Sequence, residues 1–281
     1  MIDLHVHTKV SDNSLSAGEV IRLAKARGIT HLAITDHDTT KGLQEAMVLG
    51  QEIGVEILPG IEISAYDFRR NMRAHILGLL IKPGHPSLEL LCSALVQGRN
   101  QASLEMVSKI SAAGYDIAWE DVQKYAGDTG VYKQHIMHAL LDKGYCKSIY
   151  GDLYKTLFSR GSSSETQGIA YVQLDYLDAQ AAIKAVKEAG GIPILAHPGQ
   201  LNNFAAIEEW VETGLEGIEV FHPSHTEQDR QTSWQYARQH QLVITGGSDF
   251  HGFYAEKSVE LGCHELDETC IDELLARNHR K

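Results

Sequence analysis

The chain has 281 residues, of which 43% are apolar and 22% are charged, a balance typical of a folded globular protein and not of a disordered or fibrous one. It carries 25 basic and 37 acidic side chains, which gives a formal net charge of −12. This acidic balance argues against binding to duplex DNA, because a duplex requires a basic protein face that displaces counterions from its phosphates.

The cysteine pattern and the lack of long apolar runs indicate the cellular compartment of the protein. No stretch approaches the roughly 18 consecutive apolar residues of a membrane span, and the N-terminus lacks the apolar run of a secretion signal. The four cysteines include no Cys-x-x-Cys pair, so we expect free thiols in a reducing compartment and a cytoplasmic protein without a membrane partner. The cysteines are Cys92, Cys146, Cys263 and Cys270.

The first quarter of the chain alternates short apolar runs with amphipathic segments, a pattern typical of βα units. The first predicted helix has clear end signals, because Ser16 and Glu19 form a capping box and Gly28 follows the last turn. The predicted order is strand 2–8, helix 17–27, strand 31–36, helix 42–53 and strand 55–58.

The middle of the chain differs, since almost every segment between residues 87 and 168 has helical periodicity. The C-terminal third returns to alternation, with strands predicted at 192–196, 217–221 and 243–245. We therefore predict an α/β domain formed by residues 1–86 and 169–281, whose largely parallel sheet is either open or closed into a barrel. Residues 87–168 are predicted to form a small helical insertion domain.

Histidines and carboxylates follow the ends of several predicted strands. His5 and His7 are two residues apart in a strand, so their side chains project from one face, and Asp249 and His251 do the same if their segment is extended. Because the loops after the carboxyl ends of parallel strands build the active site, we expect these groups to converge. The groups are His5, His7, Asp12, His37, Glu62, His197, Asp249 and His251.

His75 lies near the start of a predicted strand, 74–81, and does not follow the end of one. Strands 61–66 and 71–76 flank a polar connection at 67–70 that suits a β-hairpin. The simplest symmetric register places Glu62 directly opposite His75, with Cβ atoms about 5 Å apart. This register would allow the two side chains to share a metal ion.

Six histidines and three carboxylates are too many ligands for one ion, so we expect two or three divalent ions. Imidazole combined with carboxylate suits Zn, Mn or Fe, whereas Mg and Ca sites are dominated by oxygen ligands. The absence of thiol ligands argues against a purely structural zinc site.

Five motifs contain all of these histidines and carboxylates except His75: Asp3-Leu4-His5-Val6-His7-Thr8 with Ser11-Asp12, Thr35-Asp36-His37-Asp38-Thr39, Gly60-Ile61-Glu62, Ala196-His197-Pro198 and Gly247-Ser248-Asp249-Phe250-His251-Gly252. Together they resemble the motifs of the PHP (polymerase and histidinol phosphatase) family. This resemblance implies a distorted (β/α)7 barrel, a trinuclear site of Mn, Fe or Zn at its mouth, and phosphoester hydrolysis. The sequences of the second and last motifs are similar to those of the bacterial branch of 3',5'-nucleoside bisphosphate phosphatases and short-RNA exonucleases.

The resemblance also implies which residues hold each ion. His5, His7, Glu62 and Asp249 would hold the first ion. Glu62 would bridge to a second ion bound by His75 and His197, and Asp12, His37 and His251 would hold the third.

The implied activity is metal-dependent hydrolysis of phosphomonoesters of small nucleotides, of the nucleoside 3',5'-bisphosphate type, by a metal-activated hydroxide. The 5' ends of short single-stranded RNA are a further expected substrate. Three divalent ions and three carboxylates leave a formal charge of about +3, which would attract phosphate to an acidic protein. The alternatives are a histidinol phosphatase and, without catalysis, a metal-binding PHP module of a larger assembly. The oligomeric state and the native metal stay open at this stage.

Two strand-end histidines are catalytic candidates, because the leaving group needs a proton. The source of that proton is His197, His222 or a metal-bound water, and the sequence does not select among them. His225 follows His222 in the same loop and is a candidate substrate contact, the alternative being that it forms hydrogen bonds within the loop.

The helical insertion is expected to contribute to the substrate pocket through Lys133 and His135. Where the nucleotide branch often has Arg-Pro-His, this chain has Lys133-Gln134-His135. Lysine holds a phosphate as a point charge and lacks the bidentate fork of arginine. A basic patch of Arg69, Arg70 and Arg73 near Glu62 either steers an anion or simply lies on the hairpin surface.

Overall fold

The computed structural model describes residues 1–163, 166–262 and 266–278. Within these ranges, eight strands form one mixed sheet. The strands are β1 (Ile2–Val6), β2 (His31–Ile34), β3 (Glu56–Asp67), β4 (Met72–Leu79), β5 (Leu177–Asp178), β6 (Ile192–Leu195), β7 (Gly217–Phe221) and β8 (Val243–Gly246).

Seven of the strands follow one another in the order β1-β2-β3-β4-β6-β7-β8, and the short β5 pairs with β3 beside this path. Neighbours are parallel except at β4, which is antiparallel to both β3 and β6. The two ends of the sheet approach each other, because the Asp249 N–H donates to the His5 carbonyl at 2.8 Å. The sheet is therefore a nearly closed barrel, which confirms the predicted distorted (β/α)7 architecture.

Helices cover the sheet and fill the middle of the chain. The capping box predicted at Ser16 and Glu19 is present at the start of the first helix. The helices are α1 (Ala17–Ala26), α2 (Leu43–Ile53), α3 (Pro86–Ala112), α4 (Trp119–Gln123), α5 (Lys133–Asp142), α6 (Asp152–Phe158), α7 (Ala179–Glu188), α8 (Pro198–Leu201), α9 (Ile207–Thr213), α10 (Glu227–His240) and α11 (Thr269–Asn278).

The apolar core has separate parts for the barrel and for the middle of the chain. The main cluster packs helices on the sheet and contains Ile21, Ile61 and Trp210, none of which is more than 1% exposed. Met106, Leu140 and most of the buried apolar residues between 102 and 170 form a second cluster. This separate packing supports the proposal that residues 87–168 are a helical insertion.

The β3–β4 hairpin differs from its predicted register. Glu62 lies opposite Leu77, and His75 lies opposite Ser64, so the predicted direct pairing of Glu62 with His75 is wrong. The turn is displaced along the chain because the Asp67 carboxylate accepts the backbone N–H groups of Arg69 and Arg70. The shift is an even number of residues, so Glu62 and His75 still share one face of the hairpin.

The structure also bears on two further predictions, that the cysteines are free thiols and that no segment spans a membrane. Cys92, Cys146 and Cys270 are free thiols, and Cys263 lies outside the described residues. Among the described helices, none combines the length and the apolar character needed to span a bilayer.

Candidate metal centre

All nine residues predicted as metal ligands meet at one end of the barrel. Three overlapping groups of imidazole nitrogens and carboxylate oxygens each lie within 4.8 Å, and His197 joins them through Glu62. The groups are His5, His7, Glu62 and Asp249; His7, Asp12, His37 and His251; and His37, Glu62 and His75.

The first group surrounds one oxygen of Glu62. Glu62 Oε2 lies 3.1 Å from His7 Nε2 and 3.4 Å from His5 Nε2. Asp249 Oδ1 approaches the same two nitrogens at 3.2 and 3.3 Å. The backbone at Asp249 has φ 52°, so this segment is not extended as predicted, although its side chain still reaches the group. Four potential ligand atoms therefore face a common point.

The other oxygen of Glu62 faces a different pair of imidazoles. Glu62 Oε1 lies 2.8 Å from His75 Nδ1 and 3.0 Å from His197 Nε2. Because each carboxylate oxygen contacts its own set of nitrogens, Glu62 has the arrangement of a carboxylate that bridges two cations.

Asp12 is the centre of the remaining group. Its Oδ1 lies 3.3 Å from His251 Nε2 and 3.6 Å from His7 Nδ1, and its Oδ2 lies 3.9 Å from His37 Nε2. These distances place one carboxylate against three imidazoles in a buried environment.

Unpartnered atoms test whether the cluster suits metal ions. His7 Nδ1 and Asp249 Oδ1 are buried and form no hydrogen bond among the described residues. A buried polar atom without a partner is destabilising, so such atoms in a native site call for a ligand. Lone pairs on imidazole and carboxylate are the donors that Zn, Mn and Fe accept, and the site therefore fits divalent cations.

The charge states of the carboxylates agree with cation binding. Burial opposes ionisation of Asp12, Glu62 and Asp249, but the surrounding histidines hold the pKa of each carboxyl below its usual value. Burial lowers the pKa of His37 to about 4, which leaves its imidazole neutral at pH 7. Burial opposes protonation of His7, yet Asp249 and Glu62 raise its pKa to about 10, so a bound cation would displace that proton.

Three buried carboxylates that the sequence analysis did not name as site residues hold the candidate ligands in place. Glu219 lies in the middle of β7, where its Oε1 is 3.1 Å from His5 Nδ1. Asp36 accepts the N–H and hydroxyl of Thr8 at 2.8 and 2.7 Å and so anchors the loop that carries Asp12. A charged residue inside an apolar strand, as in Gly217–Phe221, is the sequence signal that could have found Glu219.

The third of these carboxylates, Asp38, connects the cluster to the helical insertion. Arg99 of α3 donates to Asp38 Oδ2 at 2.5 Å, and both side chains are buried. Asp38 Oδ1 also accepts the Ser64 N–H at 2.8 Å, directly beside His37. From α5, Gln134 Nε2 donates to Asp12 Oδ2 at 3.0 Å.

A cleft of about 450 Å³ opens above the cluster. Its size suits a small molecule. His222 lies in its wall, with Nε2 3.4 Å from Asp249 Oδ2. The wall also contains Arg73, Gln134, Tyr150 and Lys257.

The predicted substrate contacts lie elsewhere. Lys133 Nζ is 5.4 Å from the centre of the Phe158 ring, and burial lowers the lysine pKa to about 8. His135 is completely buried, and its Nδ1 accepts the Tyr132 N–H. His225 bonds to backbone groups through both ring nitrogens. None of the three is among the described residues that line the cleft. The contacts of His225 agree with its hydrogen-bonding alternative, whereas the burial of His135 excludes the alternative of a solvated helix face.

The basic patch divides between surface and cleft. Arg69 and Arg70 form ion pairs with Glu209 on the hairpin surface, at 2.8 and 3.1 Å. Arg73 lines the cleft and is the member of the patch that could meet an anionic ligand there.

Comparison with known proteins gives a consistent result. The sequence model of the PHP domain matches residues 3–192. The chain is 43% identical to the phosphoribosyl 1,2-cyclic phosphate 1,2-diphosphodiesterase of Eggerthella lenta, over 89% of this chain and 94% of that protein. It is 31% identical to the 3',5'-nucleoside bisphosphate phosphatase of Chromobacterium violaceum, over 89% and 87%.

Among solved structures, a proposed metal-dependent phosphoesterase from Bifidobacterium adolescentis has the same fold. The two superpose with a TM-score of 0.88 at 28% sequence identity, over 98% of this chain and 96% of the other. The agreement extends through the barrel and the helical middle of the chain.

Proposed function

The chain belongs to the PHP family and is a phosphoesterase, and from that premise we propose that it hydrolyses small phosphorylated ribose compounds with two or three divalent ions. The observation that carries this proposal is the bridging arrangement of Glu62, whose two oxygens face separate groups of imidazoles under one cleft. Cations held by these two groups would stabilise the attacking and the leaving oxygens of an in-line displacement at phosphorus.

The proposed ligand sets follow the side-chain contacts. His5, His7, Glu62 and Asp249 would hold one ion, Glu62, His75 and His197 a second, and Asp12, His37 and His251 a third. When bound, Mn, Fe or Zn ions supply a nucleophile at neutral pH and neutralise charge on the phosphoryl oxygens.

His222 is the proposed proton donor to the leaving group. The Ser224 hydroxyl oxygen, 2.7 Å from His222 Nδ1, can accept the Nδ1 proton of the imidazolium that a general acid requires, which leaves the proton on Nε2 for transfer. That nitrogen is on the cleft side, 3.4 Å from Asp249 Oδ2. His197, in contrast, has its Nε2 against Glu62 and is assigned to the metal ligands.

The cleft wall suggests which residues bind the rest of the substrate. Arg73 and Lys257 are cationic, and a guanidinium can grip a phosphate through two parallel hydrogen bonds. We therefore assign them to a second, non-reacting phosphate, in place of Lys133, His135 and His225. Small ribose compounds with two phosphate positions fit a cleft of about 450 Å³.

Two substrates of this class are supported by different observations. The sequences of the second and last motifs favour a nucleoside 3',5'-bisphosphate. Short RNA with a 5' phosphate is a related candidate, because it carries the same phosphate group at its 5' end. The identity of 43% to the Eggerthella lenta enzyme, against 31% to the bisphosphate phosphatase, favours a cyclic phosphate of phosphoribose as the second candidate.

The test is a substrate panel with each metal restored separately to chelated protein. Nucleoside 3',5'-bisphosphate, phosphoribosyl 1,2-cyclic phosphate, a 5'-phosphorylated oligoribonucleotide and histidinol phosphate are compared by chromatography of the products. We expect turnover of at least one ribose compound by the wild type and none by His37→Ala. Turnover of histidinol phosphate alone would contradict the proposed substrate class.

A further inference from the structure

Glu219 is a buried carboxylate that the proposed reaction does not use directly. It lies in the middle of β7, is 0% exposed, and is not among the described residues that line the cleft. Both of its oxygens are engaged: Oε1 lies 3.1 Å from His5 Nδ1, and Oε2 accepts the backbone N–H of His197 at 2.7 Å and lies 3.4 Å from His5 Nδ1. One side chain thus contacts two residues of the metal centre, one on β1 and one directly after β6.

The contact with His5 determines how that imidazole is presented. The carboxylate accepts a proton carried on Nδ1, and this leaves the lone pair on Nε2. Nε2 is the nitrogen that faces Glu62 Oε2 and Asp249 Oδ1, at 3.4 and 3.3 Å. A carboxylate behind a ligating histidine fixes the tautomer and ring orientation and raises the basicity of the ligand.

The contact with His197 holds an unfavourable backbone conformation. His197 has φ 26° and ψ 57°, in the left-handed region that side chains rarely adopt. Such conformations persist only where surrounding groups fix them, and the 2.7 Å bond from the His197 N–H to Glu219 is one such restraint. The conformation directs His197 Nε2 to Glu62 Oε1.

We propose that Glu219 is a positioning residue that orients His5 and His197 together and thereby sets the cation affinity of the centre. This inference rests on the proposed metal ligands. Glu219 could instead be a ligand itself, because it lies within reach of His5 and His222. Its absence from the cleft wall and the use of both its oxygens favour the positioning role.

The test compares Glu219→Gln with the wild type and with a matched control, Glu216→Gln. Glu216 precedes the same strand and pairs with Lys187 at 3.1 Å, away from the centre. Chelated full-length proteins are titrated with Mn²⁺ in competition with an indicator dye, and bound metal is counted after gel filtration at saturation. Neither readout needs a substrate, so an incorrect substrate assignment would leave the result unaffected.

For Glu219→Gln we expect affinity about 10–100-fold weaker, with the number of ions at saturation unchanged, since loss of such a supporting carboxylate has this effect elsewhere. Glu216→Gln should match the wild type. Unchanged affinity in Glu219→Gln would overturn the proposal, and loss of one ion at saturation would identify Glu219 as a ligand instead.

A second variant distinguishes a loss of positioning from simple misfolding. Glu219→Asp keeps the negative charge and withdraws it by one methylene, so its affinity should fall between those of the wild type and Glu219→Gln. Circular dichroism and thermal unfolding of the metal-free proteins show whether each variant folds. If both variants lose fold stability while the affinity of their folded fraction stays unchanged, Glu219 has a purely structural role and the proposal fails.

Discussion

Two regions contribute to the cleft in different ways. One is the barrel mouth, the end of the barrel that carries the nine candidate metal ligands, and the other is the helical insertion of residues 87–168. At the mouth, nine histidine and carboxylate side chains come from strands β1, β3 and β4 and from the loops after β1, β2, β6 and β8, and their positions are set by the sheet. The insertion packs around its own apolar cluster and reaches the mouth through long side chains, chiefly those of Arg99 and Gln134.

This difference separates two roles. The mouth provides atoms that can bind cations, whereas the described contacts of the insertion hold two carboxylates, Asp38 and Asp12, in place. Changes at the mouth should therefore abolish the reaction, and changes in the insertion should alter stability or affinity by smaller amounts.

The largest effect is expected at Glu62. Glu62→Gln replaces one of the two oxygens proposed to hold cations by an amide nitrogen that cannot bind a cation, so kcat/KM should fall by at least about 10³-fold, which is about 4 kcal/mol of transition-state stabilisation. The control is Glu56→Gln, at the exposed start of the same strand. Activity within tenfold of the wild type, with metal content unchanged, would show that Glu62 does not bridge.

Arg99 tests the contribution of the insertion to stability. Arg99→Met leaves the buried Asp38 carboxylate without its charge partner, which should lower the free energy of unfolding by about 3–5 kcal/mol in urea titrations of metal-free protein. The double variant Arg99→Met/Asp38→Asn should recover part of this loss.

The matched control is Arg27→Met, which breaks the exposed ion pair with Glu260 and should leave the urea midpoint nearly unchanged. If Arg99→Met were as stable as this control, the insertion would be only loosely coupled to the mouth.

The comparison of the mouth with the insertion also explains which parts of the site could be predicted from the sequence. His5, His7 and His37 were found because strand periodicity and parallel topology determine where such residues point. The hairpin register was wrong because it depends on a side chain: Asp67 captures two backbone N–H groups, and Asn71 closes the turn with φ 55°.

The contributions of the insertion could not be predicted in this way. Arg99 lies on a helix of 27 residues, and nothing in the local pattern shows that its guanidinium reaches a carboxylate after β2. His135 and His225 were predicted as substrate contacts, but His135 Nδ1 accepts the N–H of Tyr132 in the same helix start, and His225 Nε2 accepts the N–H of Gly199, which only the folded chain brings near. Periodicity determines the direction of a side chain, but tertiary packing determines its partner.

His135 gives the insertion a dependence on pH. Burial lowers the pKa of His135 to about 4, below its ordinary value of 6.5, so the unfolded chain binds the proton more readily. Its contribution to stability is therefore present above pH 6.5 and is lost as the pH falls toward 4, with a loss of about 2 kcal/mol between pH 7 and pH 5.

The variant His135→Gln keeps an acceptor for the Tyr132 N–H but cannot take up this proton. In urea titrations of chelated protein, it should lose less stability than the wild type between pH 7 and pH 5. An identical pH dependence in both proteins would mean that the folded and unfolded chains bind the His135 proton equally, so that burial does not lower its pKa.

The smallest effect is expected at Gln134, where the insertion touches the metal centre directly. Gln134→Leu removes one hydrogen bond to Asp12 Oδ2 while keeping a side chain of similar size, so cation affinity should weaken by about fivefold, or about 1 kcal/mol. Gln123→Leu, on the exposed end of α4, is the matched control. Since Asp12 keeps its three imidazole neighbours, the number of ions bound at saturation should not change. Loss of an ion in Gln134→Leu would place the insertion inside the metal centre and remove the distinction between the two regions.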